Sequence, residues 1–333
     1  MYRPLLKYLL AITLTFVIYI SGTAHAVENW DMSTVLPAGN FQVKNAVRFA
    51  EEVKKATNGE VVITVHPGGA LGLKGPESLI AVRDGVVPIA DIQMNQQVGE
   101  NTFWGIESLP YLAGGYKQLQ ILQKYTRPVF DKLAKDYGQK ILYIVPWPPQ
   151  NVFASVAADQ SVSQLKGIKL RTIDKNATEF FKRIGAAPIQ MPWGEVVPAL
   201  ATGALNGVST SSSSGVDGKF WEFMGYMNQW EWQMNSQMVN VNLEAWNRLK
   251  PETQKAIEDI AKKLEPQFWD VSRAEDERNI KTLMKNGMKI AVPTDKVKAD
   301  IAKIGSGMWD EYASSAGEPA KSVIASYRKE AGK

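Results

Sequence analysis

The chain has 333 residues, with 38 Lys and Arg against 34 Asp and Glu, a formal net charge of +4, no cysteine and two histidines. The missing cysteines exclude thiol catalysis, zinc–thiolate sites, iron–sulfur clusters and disulfides, so the fold relies on its own core. No block of like charge argues for nucleic acid or anionic lipid, and no P-loop, G-x-G-x-x-G after a strand, G-x-S-x-G or H-E-x-x-H occurs.

Residues 1–26 read as a signal peptide, with Arg3 and Lys7 in a basic start, an apolar run over 9–20 and Ala24-His25-Ala26 as the cleavage site. The run is short for a membrane span, which needs about 20 residues; an uncleaved anchor is the alternative reading. Cleavage after Ala26 removes two cations and no acid, so the mature charge is about +2. It leaves His66 as the one histidine, in V-H-P-G-G, where it reads as a loop residue at a strand end. The mature length suggests two domains.

A short strand is expected over 30–33 and an amphipathic helix over 41–57, with Ala46, Phe49, Ala50 and Val53 on one face and Asn58-Gly59 as its stop. A β-branched strand follows over 60–65. The stretch 76–84 is a helix opening on proline and closed by Gly85; 89–94 and 140–145 are strands. Pro146-Trp147-Pro148-Pro149 then marks a crossing into a second domain. There the pattern gives strands over 167–173, 188–191 and 204–209 and helices over 176–184 and 193–201. The segments 79–91 and 198–209 read alike, each a helix closed by Gly and followed by a strand, as in two similar α/β units sharing one cleft beyond their strand ends. A strand over 237–242 returns between domains. A long helix runs over 251–286, then a strand over 288–292, a helix over 295–316 and a polar tail.

Within 165–207, a strand ends on Arg171 and Trp193 stands just before a helix. A guanidinium can grip a carboxylate bidentately while an indole covers the carbon skeleton. On these residues alone, a solvated arginine and a core tryptophan read equally well.

The order L-K-G-I-K-L-R, G-A-A-P, M-P-W-G-E and A-L-A-T-G resembles the solute-binding proteins of TRAP transporters, periplasmic receptors for organic acids that feed a sodium-driven permease. The resemblance extends to F-A-E-E-V-K-K-A-T-N-G-E-V-V-I-T-V-H-P-G-G-A-L-G at 49–72, R-D-G-V-V-P-I-A-D at 83–91 and S-L-P-Y-L at 108–112. It implies an α/β, two-lobed periplasmic binding protein with a central ligand cleft, hinge strands and a long helix spanning both lobes. Lobe I would be 27–148 plus about 237–278, and lobe II 149–236 plus about 279–333.

The resemblance implies that Arg171 holds the ligand carboxylate and that Trp193, at a position that is phenylalanine in sialic-acid-binding members, packs on the ligand. Many members carry a second arginine about twenty residues earlier; here that place holds Asn151. The family's ligand-contacting asparagine falls near Thr210 or Ser211, where short hydroxyls can donate to a ligand, or where 211–214 is simply a flexible loop. Gln93, Met94, Asn95 and Ser33 complete the candidates. Trp104, Trp147, Phe153 and Trp221 are possible apolar walls, and Lys74 or Lys219 could bring a second cation. With one clear cation and much aromatic surface, the expected ligand is an aromatic or hydroxylated monocarboxylate. A C4-dicarboxylate receptor and a ligand-sensing subunit are the alternatives, and a periplasmic enzyme is a third with no catalytic constellation to support it. The implied partners are the TRAP membrane subunits; no cofactor or metal is called for, and the receptor is expected to be a monomer.

Overall fold

The computed structural model describes residues 27–333; the predicted signal peptide lies outside the described residues. The chain opens β1 (Glu28–Ser33), α1 (Phe41–Ala56), β2 (Val61–His66), α2 (Ser78–Arg83), β3 (Ile89–Gln93), α3 (Tyr116–Asp136), β4 (Gln139–Pro146). It continues β5 (Gln150–Ala154), β6 (Lys169–Thr172), α4 (Lys175–Ile184), β7 (Ala187–Gln190), α5 (Trp193–Ala201), β8 (Gly207–Ser211), α6 (Ser212–Asp217), β9 (Tyr226–Gln233). It closes with β10 (Ser236–Asn242), α7 (Leu243–Asn247), α8 (Pro251–Lys285), β11 (Lys289–Ala291), α9 (Asp295–Ala316) and α10 (Glu318–Ala331).

Two sheets result, ordered β2-β1-β3-β10-β4 and β11-β9-β5-β8-β6-β7. The first is parallel except for β10, which returns antiparallel between β3 and β4. In the second, β5 runs antiparallel to both β8 and β9. Helices cover both faces of each, so alternate residues of one strand enter different cores. In β10, Met238 packs with Ile92, Ile144 and Trp104, while Val239 and Val241 pack with Phe49, Tyr143 and Phe268. In β5, Val152 and Ala154 join Phe180 and Trp232, whereas Phe153 faces Phe220 and Leu200.

The 35-residue α8 is about 52 Å long at 1.5 Å per residue. Its first half buries Ile257, Ala261, Leu264 and Phe268 against the first sheet, and Leu283 enters the core of the second. The long helix implied by the resemblance is present and touches both layers.

Several elements lie outside the expected pattern: α3, β5, β9 and α10. The C-terminal tail expected to be polar is helical, with Ala320, Val323, Ile324 and Tyr327 buried beside Leu119, Leu122 and Phe130 of α3. This corrects the placement of the last residues with the second lobe, because α10 packs in the core of the first. The helix α9 is shared, with Val297 and Ile301 in the second core and Trp309 and Tyr312 in the first. The segment 211–214 is no loop: β8 ends at Ser211, whose side chain caps α6 by accepting from the Ser214 N–H. Among the described residues no helix is long and apolar enough to cross a membrane.

Candidate functional site

Arg171 sits on β6 between β7 and β8, and only 1 % of it is exposed. Its strand neighbour Leu170 points into the core with Phe180 and Phe181, so alternation turns the arginine toward the opposite face. Its Nε donates to the Met191 carbonyl at 2.9 Å, just past β7, which fixes the guanidinium plane. Its Nη2 is buried and has no hydrogen-bond partner. Burial pushes the guanidinium down to about 10 while the Asp174 carboxylate opposes the shift, so it stays cationic at neutral pH. Asp174 is itself a buried carboxyl raised by desolvation; it caps α4 through the Ala177 N–H at 2.7 Å and accepts from the amides of Asn95 and Gln233.

Arg171 lines a cleft between the two sheets, an atom-free space of ≈ 440 Å³. The cleft lies beyond the carboxyl ends of β1, β3, β6 and β8, reached by Val35 and Leu36, Gln93, Ile173, and Thr210 with Ser211. Trp193 opens α5 and lines the cleft half-buried, its ring 6.2 Å from that of Phe220 and tilted by 42°. Trp147 forms another wall, its indole N–H donating to Gln237 Oε1 at 3.1 Å.

Of the sequence candidates, Arg171, Trp193, Thr210, Ser211, Gln93 and the wall candidate Trp147 meet here. The others do not. Asn151 is turned away, its amide tied to the Pro149 carbonyl and the Glu231 N–H; on β5 it is the preceding residue, Gln150, that lines the cleft. Met94 is core, packed with Ile92 and Trp104. Asn95 is buried behind the cleft, spent on Gln93 at 2.8 Å and on Asp174. Ser33 is buried at the end of β1 and the chain reaches the cleft only two residues later. Trp104 and Phe153 are core, Trp221 packs beside the second core, and neither Lys74 nor Lys219 lines the cleft. Lys74 instead approaches Glu195 of α5 at 3.6 Å. His66 contacts Asp31 at 2.7 Å.

Sequence reasoning missed Val35, Leu36, Gln96, Gln150, Ile173, Ser214, Asn235 and Gln237. The last two belong to the crossing from β9 to β10, where no motif stands out. The pairing Gln237↔Gln93 between β10 and β3 brings Gln237 to the cleft, and it is visible only once the sheet is formed.

Four atoms of this lining are buried without partners: Arg171 Nη2 and Gln237 Nε2, both donors, and Gln96 Oε1 and Asn235 Oδ1, both acceptors. Buried polar groups are normally satisfied, and an orphan costs about 1–3 kcal/mol. Four such atoms around one space mark a site that a polar ligand completes. A roomier groove between α3, β4 and α8, ≈ 1290 Å³, differs in kind, because Arg127 and Lys140 there already have Glu265 and Glu258 at 3.4 and 2.9 Å. No group of three or more His, Asp or Glu that could hold a metal ion occurs among the described residues.

The two lobes also touch each other around the cleft. Asn40 donates to Asp217 at 2.6 Å, Asn95 to Asp174, and Asn176 to the Gly105 carbonyl at 2.9 Å.

Comparison with known proteins gives the same picture. A solved Bordetella pertussis extracytoplasmic solute receptor that binds pyroglutamic acid superposes with a TM-score of 0.87 at 31% identity, covering 90% of this chain and 99% of that one. A TRAP solute-binding protein from a marine metagenome, in complex with co-purified pyroglutamate, does so with a TM-score of 0.86 at 28% identity, over 91% and 99%. Among curated proteins, a solute-binding protein of Albidiferax ferrireducens is 28% identical over 53% of this chain and 52% of its own, so the chain spans about half the length of that relative. The model of the bacterial extracellular solute-binding protein family 7 matches residues 32–315, and the chain belongs to that family, the DctP-type receptors of TRAP transporters.

Proposed function

We propose that this chain is an exported receptor that captures a small cyclic monocarboxylate of the pyroglutamate type and presents it to a TRAP permease. The observation that carries the reading is Arg171, a buried cation that lines the cleft and whose Nη2 is unpartnered. A carboxylate supplies its missing acceptor and adds a directly paired counter-charge to the field of Asp174. Arg171 is the only Lys or Arg lining the cleft among the described residues, which disfavours a dicarboxylate. The receptors at 31% and 28% identity that bind pyroglutamate support the ligand class. This keeps the expected monocarboxylate but departs from an aromatic or hydroxylated body, because polar amides line the cleft beside the indoles and favour a lactam.

The receptor acts in the periplasm after cleavage behind Ala26, as a monomer binding one ligand, and returns that ligand chemically unchanged. Calorimetry with L-pyroglutamate, succinate and galacturonate tests this. One-to-one binding of pyroglutamate, with succinate weaker by about two orders of magnitude, is the expected result. Tight succinate binding without response to pyroglutamate overturns it, and recovery of an altered ligand after long incubation revives the enzyme reading.

A further inference from the structure

Two of the unpartnered atoms belong to the segment that carries the chain from the second sheet back to the first. Gln237 is the second residue of β10 and only 2 % exposed. The Trp147 indole N–H, which can only donate, takes its Oε1. The amide is thereby oriented with Nε2 as the free end, and Nε2 has no partner. The Gln237 amide approaches the buried Asp91 carboxyl closely enough to lower it without completing a hydrogen bond, and Asp91 takes its full hydrogen bond from the Thr34 hydroxyl at 2.9 Å. Asn235 lies between β9 and β10, also 2 % exposed. Its backbone carbonyl accepts the Trp147 N–H at 2.9 Å, which pins the residue, but its side-chain amide makes no hydrogen bond and Oδ1 is buried.

A fixed donor and a buried acceptor, two residues apart and on the same cleft as a cation, define a complementary ligand. It must carry a carboxylate, an acceptor and a donor. A lactam ring holds carbonyl and N–H side by side with no torsion to freeze, and the apolar walls Val35, Leu36 and Trp193 suit the ring carbons. We propose that Gln237 and Asn235 are the specificity-determining residues of this cleft, Gln237 Nε2 donating to the ring carbonyl and Asn235 Oδ1 accepting the ring N–H. The assignment rests on the pyroglutamate-type reading. It also places amide recognition on the interdomain crossing, so that only a ligand with the right ring edge ties this segment to the carboxylate held by Arg171.

The test is calorimetry on the full mature chain with three probes. L-pyroglutamate carries both groups, 5-oxotetrahydrofuran-2-carboxylate keeps the carbonyl but replaces N–H by oxygen, and cyclopentanecarboxylate lacks both. The wild-type protein should prefer them in that order, each step roughly tenfold or more, since an unpaired buried group is left at each. Asn235→Ala should close the gap between lactam and lactone. Gln237→Leu should close the gap between lactone and carbocycle. Asn235→Ser and Gln237→Met serve if the first variants fail to fold by circular dichroism. Equal weakening toward all three probes would show a structural role and overturn the assignment while the ligand reading stands. A wild-type protein that ignores pyroglutamate but binds another monocarboxylate overturns both.

Discussion

At the scale of single residues, the informative property of Arg171 is that its environment leaves it incomplete. A buried charge without a full set of partners lowers stability, and an apolar residue of similar volume often restores it. We therefore expect Arg171→Met to raise the ligand-free stability while abolishing binding. Arg171→Ala and Arg171→Lys should each lose about 2–5 kcal/mol of ligand affinity with the fold intact, lysine included, because an ammonium cannot copy the guanidinium fork. Urea denaturation beside calorimetry checks both halves. If Arg171→Met lowers the ligand-free midpoint, the guanidinium is a structural tie to Met191 and the site lies elsewhere. The cleft-lining residues legible in the sequence, Arg171, Trp193, Trp147, Gln93, Thr210 and Ser211, are those sitting in or beside motifs. Asn151 was reached by counting along the chain, and β5 alternation turned it away from the cleft in favour of Gln150. Asn235 and Gln237 were illegible because their role depends on which strands become neighbours, and a single sequence does not display long-range pairing.

At the scale of elements, strongly periodic segments were the readable ones. The helix expected over 295–316 has those bounds, and the long helix expected over 251–286 ends one residue earlier, at Lys285. The strand β9 was missed because it is polar at Asn228, Gln229 and Glu231, with Glu231 at φ 47° opposite a register shift in β5. The helix α10 was missed despite a clear stripe at Ala320, Val323, Ile324 and Tyr327, which repeats at i, i+3, i+4 and i+7. Gly317, at φ +84°, separates it from α9. Because this stripe completes the core of the first lobe, Tyr327→Ala should cost about 3–5 kcal/mol. The ring is fully buried and its hydroxyl donates to the Leu112 carbonyl at 2.5 Å. Chemical denaturation measures it, and a loss under about 1 kcal/mol, the range of surface substitutions, would mean that α10 is dispensable.

At the scale of the whole molecule, buried carboxyls couple the fold to pH. Desolvation raises Asp91 and Glu107 to about 7 and Asp217 to about 6. Each therefore binds its proton more tightly folded than unfolded, so the stability they supply is present in acid and is lost as pH rises from about 4 to about 7. Denaturant midpoints should fall across that window and level off above it, and Asp91→Asn should flatten the slope; a midpoint that climbs from pH 5 to 7 contradicts the sign. Asp217 adds a functional consequence because its partner, the Asn40 amide, lies across the cleft in the other lobe. Glu275 raises it and Lys44 lowers it, both weaker influences than burial. Opening the cleft by a hinge motion would return Asp217 to water and to an ordinary carboxyl range. Closure is then favoured by the protonated form, and apparent affinity scales with the fraction able to close. A ligand carboxylate with a pKa near 3.5 keeps its charge throughout, so the pH dependence belongs to the protein. Affinity for such a ligand should weaken severalfold between pH 5 and pH 7, and Asp217→Asn should remove most of that change, with Asp174 and Asn95 supplying the remainder. Calorimetry at both pH values decides it: an affinity that is flat in the wild-type protein would mean that the Asn40–Asp217 contact survives opening or never forms.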